Sequence, residues 1–436
     1  MKVRTRFAPS PTGLMHIGSV RTALYAYLTA KKTAGEFWLR IEDTDRKRLV
    51  QGSVEDIVST LKWLGLNYDK LVTQSDRKDT YQKYAKQLVD EGKAYEKDGA
   101  IWFKMDLGGK TVVKDLVAER VFSFENKSQK DFVVLKSDGY PTYHLAHVVD
   151  DHLDEMSPVI RAPEWISSLP KHVQLFEAFK WQIPQYAHLT MILGSDRSKL
   201  SKRHRAKGAS EYIKEGFLPE AILNYMALLG WTPKSGKEIL SLDEMISEFE
   251  LKETHLSNAI FDTVKLEWMN GEYIRQLSDA ELTKRLQEFL IGHPSIGLEI
   301  GSVVPLIKER IKKLSDFIPL TYFIFEEPEY DIEIFKKIKI EEQGVVLKTV
   351  VRKLESMEKP WKAVSFEETF RNLAKELNIP VREMFQLIRV AVSGQLVTPP
   401  LFETVELIGD EHVLQRIKAV ITKYFSGSNL PEESSS

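Results

Sequence analysis

Between Lys2 and Ile41 the chain changes its hydrophobic period twice, and this restricts the fold more than anything else in the sequence. Lys2 to Ala8 reads as a short strand that ends at the turn-forming run Pro9-Ser10-Pro11-Thr12-Gly13. Val20, Ala23, Leu24, Tyr27 and Leu28 then recur at the spacing of one helical face, and Gly35 closes that segment before the strand-like run Phe37 to Ile41. Strand, helix, strand in this order is the βαβ beginning of a parallel sheet, where ligands gather at the carboxyl ends of the strands.

Two more amphipathic helices are expected. One carries Val54, Ile57, Val58 and Leu61 behind a Ser53 cap, and the other carries Tyr81, Tyr84, Ala85, Leu88 and Val89 and closes at Gly92. From about Ala94 to Leu135 short β-rich pieces replace them, including Ile101 to Phe103 and Phe132 to Leu135, which reads as an insertion in the sheet domain. Helical character returns near Val173 to Phe179 and dominates from Pro219, a proline suited to a first helical turn. Ser365 and Glu368 read as a capping box ahead of Phe370, Leu373 and Leu377. A polar tail, 426–436, is expected to be disordered.

The length of 436 residues predicts several domains, and 43% hydrophobic with 28% charged residues is ordinary for a globular protein. There is no cysteine, which excludes disulfides and thiolate zinc sites. No stretch approaches a membrane span, so a cytoplasmic location is expected. The net charge of −2 does not favour a polyanionic partner, yet Arg197, Lys199, Lys202, Arg203, His204, Arg205 and Lys207 form a local basic cluster.

Neither a Walker loop nor a GxGxxG motif is present. After the first strand stand His16-Ile17-Gly18-Ser19, opening a helix whose N-terminus offers unpaired N–H groups and a positive dipole end to a phosphate. Glycine there lets a flat base approach the backbone, and a histidine can donate to phosphate oxygens as charge develops. Taken alone, this stretch reads more readily as a turn with a surface histidine. Lys199-Leu200-Ser201-Lys202-Arg203 forms a second element, a basic loop able to close on a triphosphate. By itself it too reads as a solvated loop.

Together the two elements resemble the signature motifs of class I aminoacyl-tRNA synthetases. The runs Arg6 to Gly13, Arg40 to Arg46, Val148 to His152, Ala227 to Trp231 and Arg389 to Gly394 are similar to those of glutamyl-tRNA synthetases across nearly the whole chain. The resemblance implies a multidomain protein: a Rossmann-like α/β nucleotide-binding catalytic domain (1–93 and 136–215) with an inserted α+β domain (94–135) for the tRNA acceptor end. All-α regions would follow, a stem-contact region (216–322) and an anticodon-binding domain (323–425).

The same resemblance implies that glutamate is activated with ATP, accompanied by Mg2+, and transferred to the 3′ end of tRNA(Glu). His16, Lys199 and Lys202 would be catalytic, and Pro9, Ser10, His16, Gly18 and Lys202 would bind ATP. Arg6, Ala8, Ser10, Glu42, Tyr143, His147 and Arg161 would bind glutamate, the arginines facing its side-chain carboxylate and Glu42 its ammonium. No metal ligand and no zinc is expected in the protein. Its partners would be tRNA(Glu), glutamate and ATP, with no membrane, and the chain would be a monomer. His147 stands where bacterial members usually carry asparagine, Pro163 where an acidic residue is usual, and Asp154-Glu155 is atypical. Two other readings use the same residues: a non-catalytic tRNA-binding paralogue, and an enzyme that transfers glutamate to a modified tRNA base. Arg6, Glu42 and Arg161 could also form structural ion pairs with one another.

Overall fold

A computed structural model describes residues 2–200, 208–293 and 299–426. The chain forms two compact units, 1–273 and 274–436.

The first unit opens with β1 (Arg4–Phe7), α1 (Ile17–Lys32) and β2 (Glu36–Ile41). The strands pair in parallel, Arg4 opposite Glu36 through Phe7 opposite Leu39. Helix α1 buries Ile17, Val20, Ala23, Leu24 and Leu28 and places Lys31 and Lys32 in its last turn, where they complement the helix dipole. Gly35 makes the return to the sheet possible, because a Cβ there would lie 2.1 Å from the Val3 carbonyl oxygen.

Next come α2 (Ser53–Trp63), β3 (Lys70–Thr73), parallel to β2, and α3 (Lys78–Asp90). Ser53 is not the cap that its sequence position suggested. Gly52 holds the cap position with φ +80°, and Ser53 is already helical, its hydroxyl buried without a hydrogen bond. The left-handed entry at Gly52 starts the helix one residue earlier than a Ser53 cap would.

Five strands follow: β4 (Ala94–Lys97), β5 (Ala100–Phe103), β6 (Lys110–Lys114), β7 (Val121–Glu125) and β8 (Phe132–Leu135). They form an antiparallel β4-β5-β8 sheet and a β6-β7 hairpin. Then come α4 (Tyr143–Leu153), β9 (Val159–Arg161), α5 (Leu169–Ala178) and β10 (Tyr186–His188). Strand β10 pairs in parallel with β9, which lies beside β1: Ser157 N–H donates to the Arg4 carbonyl at 3.0 Å and Arg6 Nη1 to that of Ile160 at 3.2 Å. Two parallel sheets result, β3-β2-β1 and β9-β10, with β9 next to β1. The carboxyl ends of their strands carry Phe7, Ile41, Arg161 and His188.

The unit continues through β11 (Ile192–Leu193), α6 (Ala209–Lys214), α7 (Pro219–Leu228, proline in its first turn), α8 (Leu242–Glu248), β12 (Ala259–Ile260), parallel to β11, and α9 (Thr263–Gln276).

In the second unit, α10 (Asp279–Phe289), α11 (Ile300–Ile307), α12 (Phe317–Phe325) and α13 (Ile332–Phe335) precede a core shared by α14 (Gln343–Glu355), α15 (Ala363–Glu376), α16 (Val381–Ser393), α17 (Leu401–Ile408) and α18 (Asp410–Tyr424). Helix α15 starts before Ser365, which therefore stands inside its first turn rather than at its cap. Of the amides entering that turn, Trp361 N–H donates to Asp410 Oδ1 at 3.0 Å and Ala363 N–H to Glu406 Oε2 at 2.9 Å, while Lys362 N–H donates to Ser365 Oγ at 3.3 Å. Only Ser426 of the expected tail lies within the described residues, and none of the described helices is long and apolar enough to cross a membrane.

Candidate functional site

A cavity of about 360 Å³ opens at the carboxyl ends of β1, β2 and β9. Arg6, Ala8, Pro9, Ser10, His16, Glu42, Tyr143 and Arg161 all line it, as does Trp165. A second cavity of about 240 Å³ shares His16, Ser19, Thr22 and Ala162 with it and adds Gly18, Pro163, Lys199 and Leu200. Of the residues expected from sequence, His147 lies behind the first cavity with no exposed surface, and Lys202 lies outside the described residues.

The N-terminus of α1 stands between the cavities. His16 is its N-cap, and His16 Nδ1 accepts the Gly18 N–H at 3.0 Å. Accepting through Nδ1 leaves the proton of a neutral ring on Nε2. A Cβ at residue 18 would come within 3.1 Å of Nδ1, so glycine keeps this cap open. The second cavity offers a flat ligand an apolar wall from Leu189, Met191, Ile192 and Leu200, with Lys199 beside it, 3.7 Å from Glu164.

Asp151 organises the charges around the first cavity. Its carboxylate takes Arg6 through Nε and Nη2 at 3.0 and 3.2 Å, Arg40 Nη1 at 2.6 Å and His147 Nδ1 at 2.8 Å. Burial pushes the Asp151 carboxyl up, but Arg40, Arg6 and His147 outweigh it and hold the group well below the usual carboxylate range. Glu42 has the opposite balance. Burial raises it despite Arg40 and Arg6, and Arg40 Nη2 donates to it at 3.2 Å. Arg6, Glu42 and Arg161 do not pair with one another among the described residues.

Arg161 is buried, 4% exposed, and no carboxylate among the described residues forms an ion pair with it. Its partners are neutral acceptors. Nε donates to His188 Nε2 at 2.9 Å, and Nη1 faces His147 Nε2 at 3.2 Å and His172 Nδ1 at 3.1 Å. Burial lowers His147 to about 3 and holds His172 well below its usual range, so both rings are neutral near pH 7. Tyr143 stacks between Trp165 (3.8 Å) and His147 (5.3 Å), and its hydroxyl lies 3.5 Å from Arg161 Nη1. A buried guanidinium surrounded by uncharged acceptors keeps its charge available to an anionic ligand.

The atypical positions have local partners. His147 bridges Asp151 to Arg161, and Asp154 pairs with Arg77 through both oxygens at 2.8 and 2.9 Å. Glu155 reaches Arg4 at 3.3 Å, and Pro163 starts the short 3-10 turn 163–168 beside the second cavity. Sequence reasoning assigned no role to Asp115, His172 or His188. His172 and Asp115 carry no local signal, but His188 ends a parallel strand, a position at which such sheets place functional groups.

Residues 2–100 and 96–268 match the family described as tRNA synthetases class I (E and Q), catalytic domain, and residues 281–421 match an anticodon binding domain. The chain is 42% identical to a glutamate–tRNA ligase of Dehalococcoides mccartyi, over 97% of this chain and 98% of the relative. It is 39% identical to a glutamate–tRNA ligase 2 of Thermoanaerobacter pseudethanolicus, over 96% and 98%. It also superposes with a TM-score of 0.85 on the crystal structure of a glutamate tRNA ligase from Elizabethkingia meningosepticum in complex with its amino acid, at 31% identity over 97% of this chain and 100% of that one.

Proposed function

We propose a specific reaction for this chain, which belongs to the glutamate–tRNA ligase family of the class I aminoacyl-tRNA synthetases: it activates glutamate with ATP and transfers the glutamyl group to the 3′-terminal adenosine of tRNA(Glu). The observation that carries this reading is the buried Arg161, charged and without an acidic partner among the described residues, on the wall of a cavity that Glu42 also lines. Arg161, with Arg6 and Tyr143 beside it, receives the side-chain carboxylate, and Glu42 receives the ammonium. That orientation leaves the α-carboxylate to attack the α-phosphate of ATP, releasing pyrophosphate.

ATP occupies the second cavity, its base against Gly18 and its phosphates at the start of α1, where His16 Nε2–H donates to oxygens that gain charge. Lys199, with Lys202 outside the described residues, adds positive charge at the same place. Magnesium enters as part of the MgATP substrate. In the second step a hydroxyl of the tRNA terminal ribose attacks the glutamyl carbonyl and AMP leaves. The inserted strands 94–135 hold the acceptor end, 216–322 the stem and 323–425 the anticodon. Charging of tRNA(Glu) with labelled glutamate tests the reading, and absence of charging in the presence of MgATP would reject it.

Two further results are expected. Glutamate-dependent pyrophosphate exchange should require tRNA, because the acceptor end completes the pocket; exchange at full rate without tRNA contradicts this. The Michaelis constant for glutamate should also depend on Glu42. Burial raises the Glu42 carboxyl in the free protein, and a bound ammonium would draw it down. The ammonium favours ionised Glu42, so affinity is full above the raised pKa and is lost as pH falls through it. The Michaelis constant should therefore rise as the pH is lowered through the raised pKa of Glu42, and Glu42→Gln should raise it at neutral pH and flatten the profile. An unchanged profile in the variant would assign the titration to another group.

A further inference from the structure

Two hydrogen bonds connect the inserted strands to Arg161. Asp115 follows β6 directly and is fully buried. Its Oδ2 lies 2.6 Å from His188 Nδ1 and also accepts the His188 backbone N–H at 3.0 Å. Its Oδ1 accepts the Val117 N–H at 3.0 Å and Arg120 Nη2 at 3.2 Å. On the far side of the ring, His188 Nε2 accepts from Arg161 Nε at 2.9 Å. The β6-β7 hairpin is packed against the strands that carry these groups, with Val113, Phe122 and Phe124 on Val159 and Tyr186, and Leu116 N–H donates to the Tyr186 carbonyl at 2.8 Å.

We propose that Asp115 is a positioning residue for substrate selection: by fixing the tautomer of His188 it holds Arg161 with one end of its guanidinium turned to the substrate's side-chain carboxylate. The proposal deepens the glutamate reading and rests on it. An ionised carboxylate can only accept, so the His188 proton sits on Nδ1 and the Nε2 lone pair faces the guanidinium. The opposite tautomer would set two N–H groups against each other and push Arg161 away. With Nε held by His188 and Nη1 by His147 and His172, the Nη2 end has only a 3.5 Å approach to the Trp165 carbonyl and is the least committed part of the fork. Such outer partners fix the orientation of the groups that touch a ligand.

Asp115→Asn is nearly isosteric, but its amide can donate to Nδ1 and so permit the wrong tautomer. In amino-acid activation assays this variant should raise the Michaelis constant for glutamate roughly 10-fold, keep turnover within about 2-fold and narrow the advantage of glutamate over glutamine. The Michaelis constant for ATP should stay as in the wild type, while the melting temperature should fall, because either amide orientation faces a backbone N–H of Val117 or His188 with an NH2 group and removes the charge beside Arg120. His188→Gln has no tautomer to set, so Asp115→Asn should add nothing in that background. Additive losses, or equal weakening of glutamate, glutamine and ATP, would overturn the proposal.

Nitrogen NMR of the His188 ring gives a readout that needs no activity. The proton should lie on Nδ1 in the wild type and on Nε2 in Asp115→Asn, with the Arg161 Nε–H signal displaced. The same tautomer in both proteins overturns the proposal. Failure of the glutamate reading itself would look different: the wild type would not activate glutamate although its His188 proton lies on Nδ1.

Discussion

His16→Ala is expected to slow adenylate formation by roughly 10²- to 10³-fold, the usual cost of losing one donor aimed at developing negative charge. The substitution removes two things at once. Nδ1 caps α1 by accepting the Gly18 N–H, and Nε2 carries the proton that the proposed mechanism offers to phosphate. Loss of an N-cap costs about 1 kcal/mol of stability, so part of any fall in rate could come from a frayed helix start. His16→Asn separates the contributions. Asparagine is among the best N-caps and restores the acceptor for Gly18, but it places no donor where Nε2 stands. The asparagine variant should match the wild type in its urea midpoint and match the alanine variant in its single-turnover rate. Recovery of the rate by asparagine would show that His16 contributes only the shape of the helix start.

The same residue shows how far the sequence could be read. A strand, a turn and a helical period determine where α1 begins, because each is a local property of a few neighbouring residues, and the parallel β1-α1-β2 unit follows from their order. Helix starts that depend on distant acceptors are less accessible. Glu406 and Asp410 take the Ala363 and Trp361 amides at the start of α15, and Ser365 takes only that of Lys362 from inside the first turn. Candidate ligand groups that end a parallel strand or open a helix, such as Arg161 and His16, lie next to recognisable motifs, and both line the first cavity. Of the histidines that hold Arg161, His147 adjoins the Val148–His152 run and His188 ends a strand, but His172 has no local signal. His147, His172 and His188 come from α4, α5 and β10, and their common purpose appears only when the fold brings three neutral rings to one guanidinium. Asp115 is further removed still, since its effect passes through a ring that itself lies behind the pocket wall.

Arg161→Ala should raise the Michaelis constant for glutamate by roughly 10- to 150-fold, the equivalent of about 1.5–3 kcal/mol for a charge-assisted contact, and should narrow the advantage over glutamine. The surroundings of this arginine make the expectation specific. A structural ion pair with Glu164 or Asp151 would imply a loss of stability on truncation, but Glu164 approaches Lys199 and Asp151 is taken by Arg6, Arg40 and His147. Removing Arg161 discards a buried charge that has no acidic partner among the described residues and leaves neutral acceptors that water can satisfy, so the melting temperature should change little. Arg6 supplies the contrast. Its Nε and Nη2 engage Asp151 in a buried pair, and breaking such a pair costs about 3–5 kcal/mol, so Arg6→Ala should lower the melting temperature well before any change in selectivity is read. Arg161→Lys keeps the charge but not the fork, and should recover part of the affinity while remaining less selective than the wild type. The decisive measurement is activation kinetics of the Arg161 variants with glutamate and glutamine side by side, with melting temperatures for all three proteins. An unaltered glutamate-to-glutamine ratio in Arg161→Ala would place the selection elsewhere, with Arg6 the next residue to test.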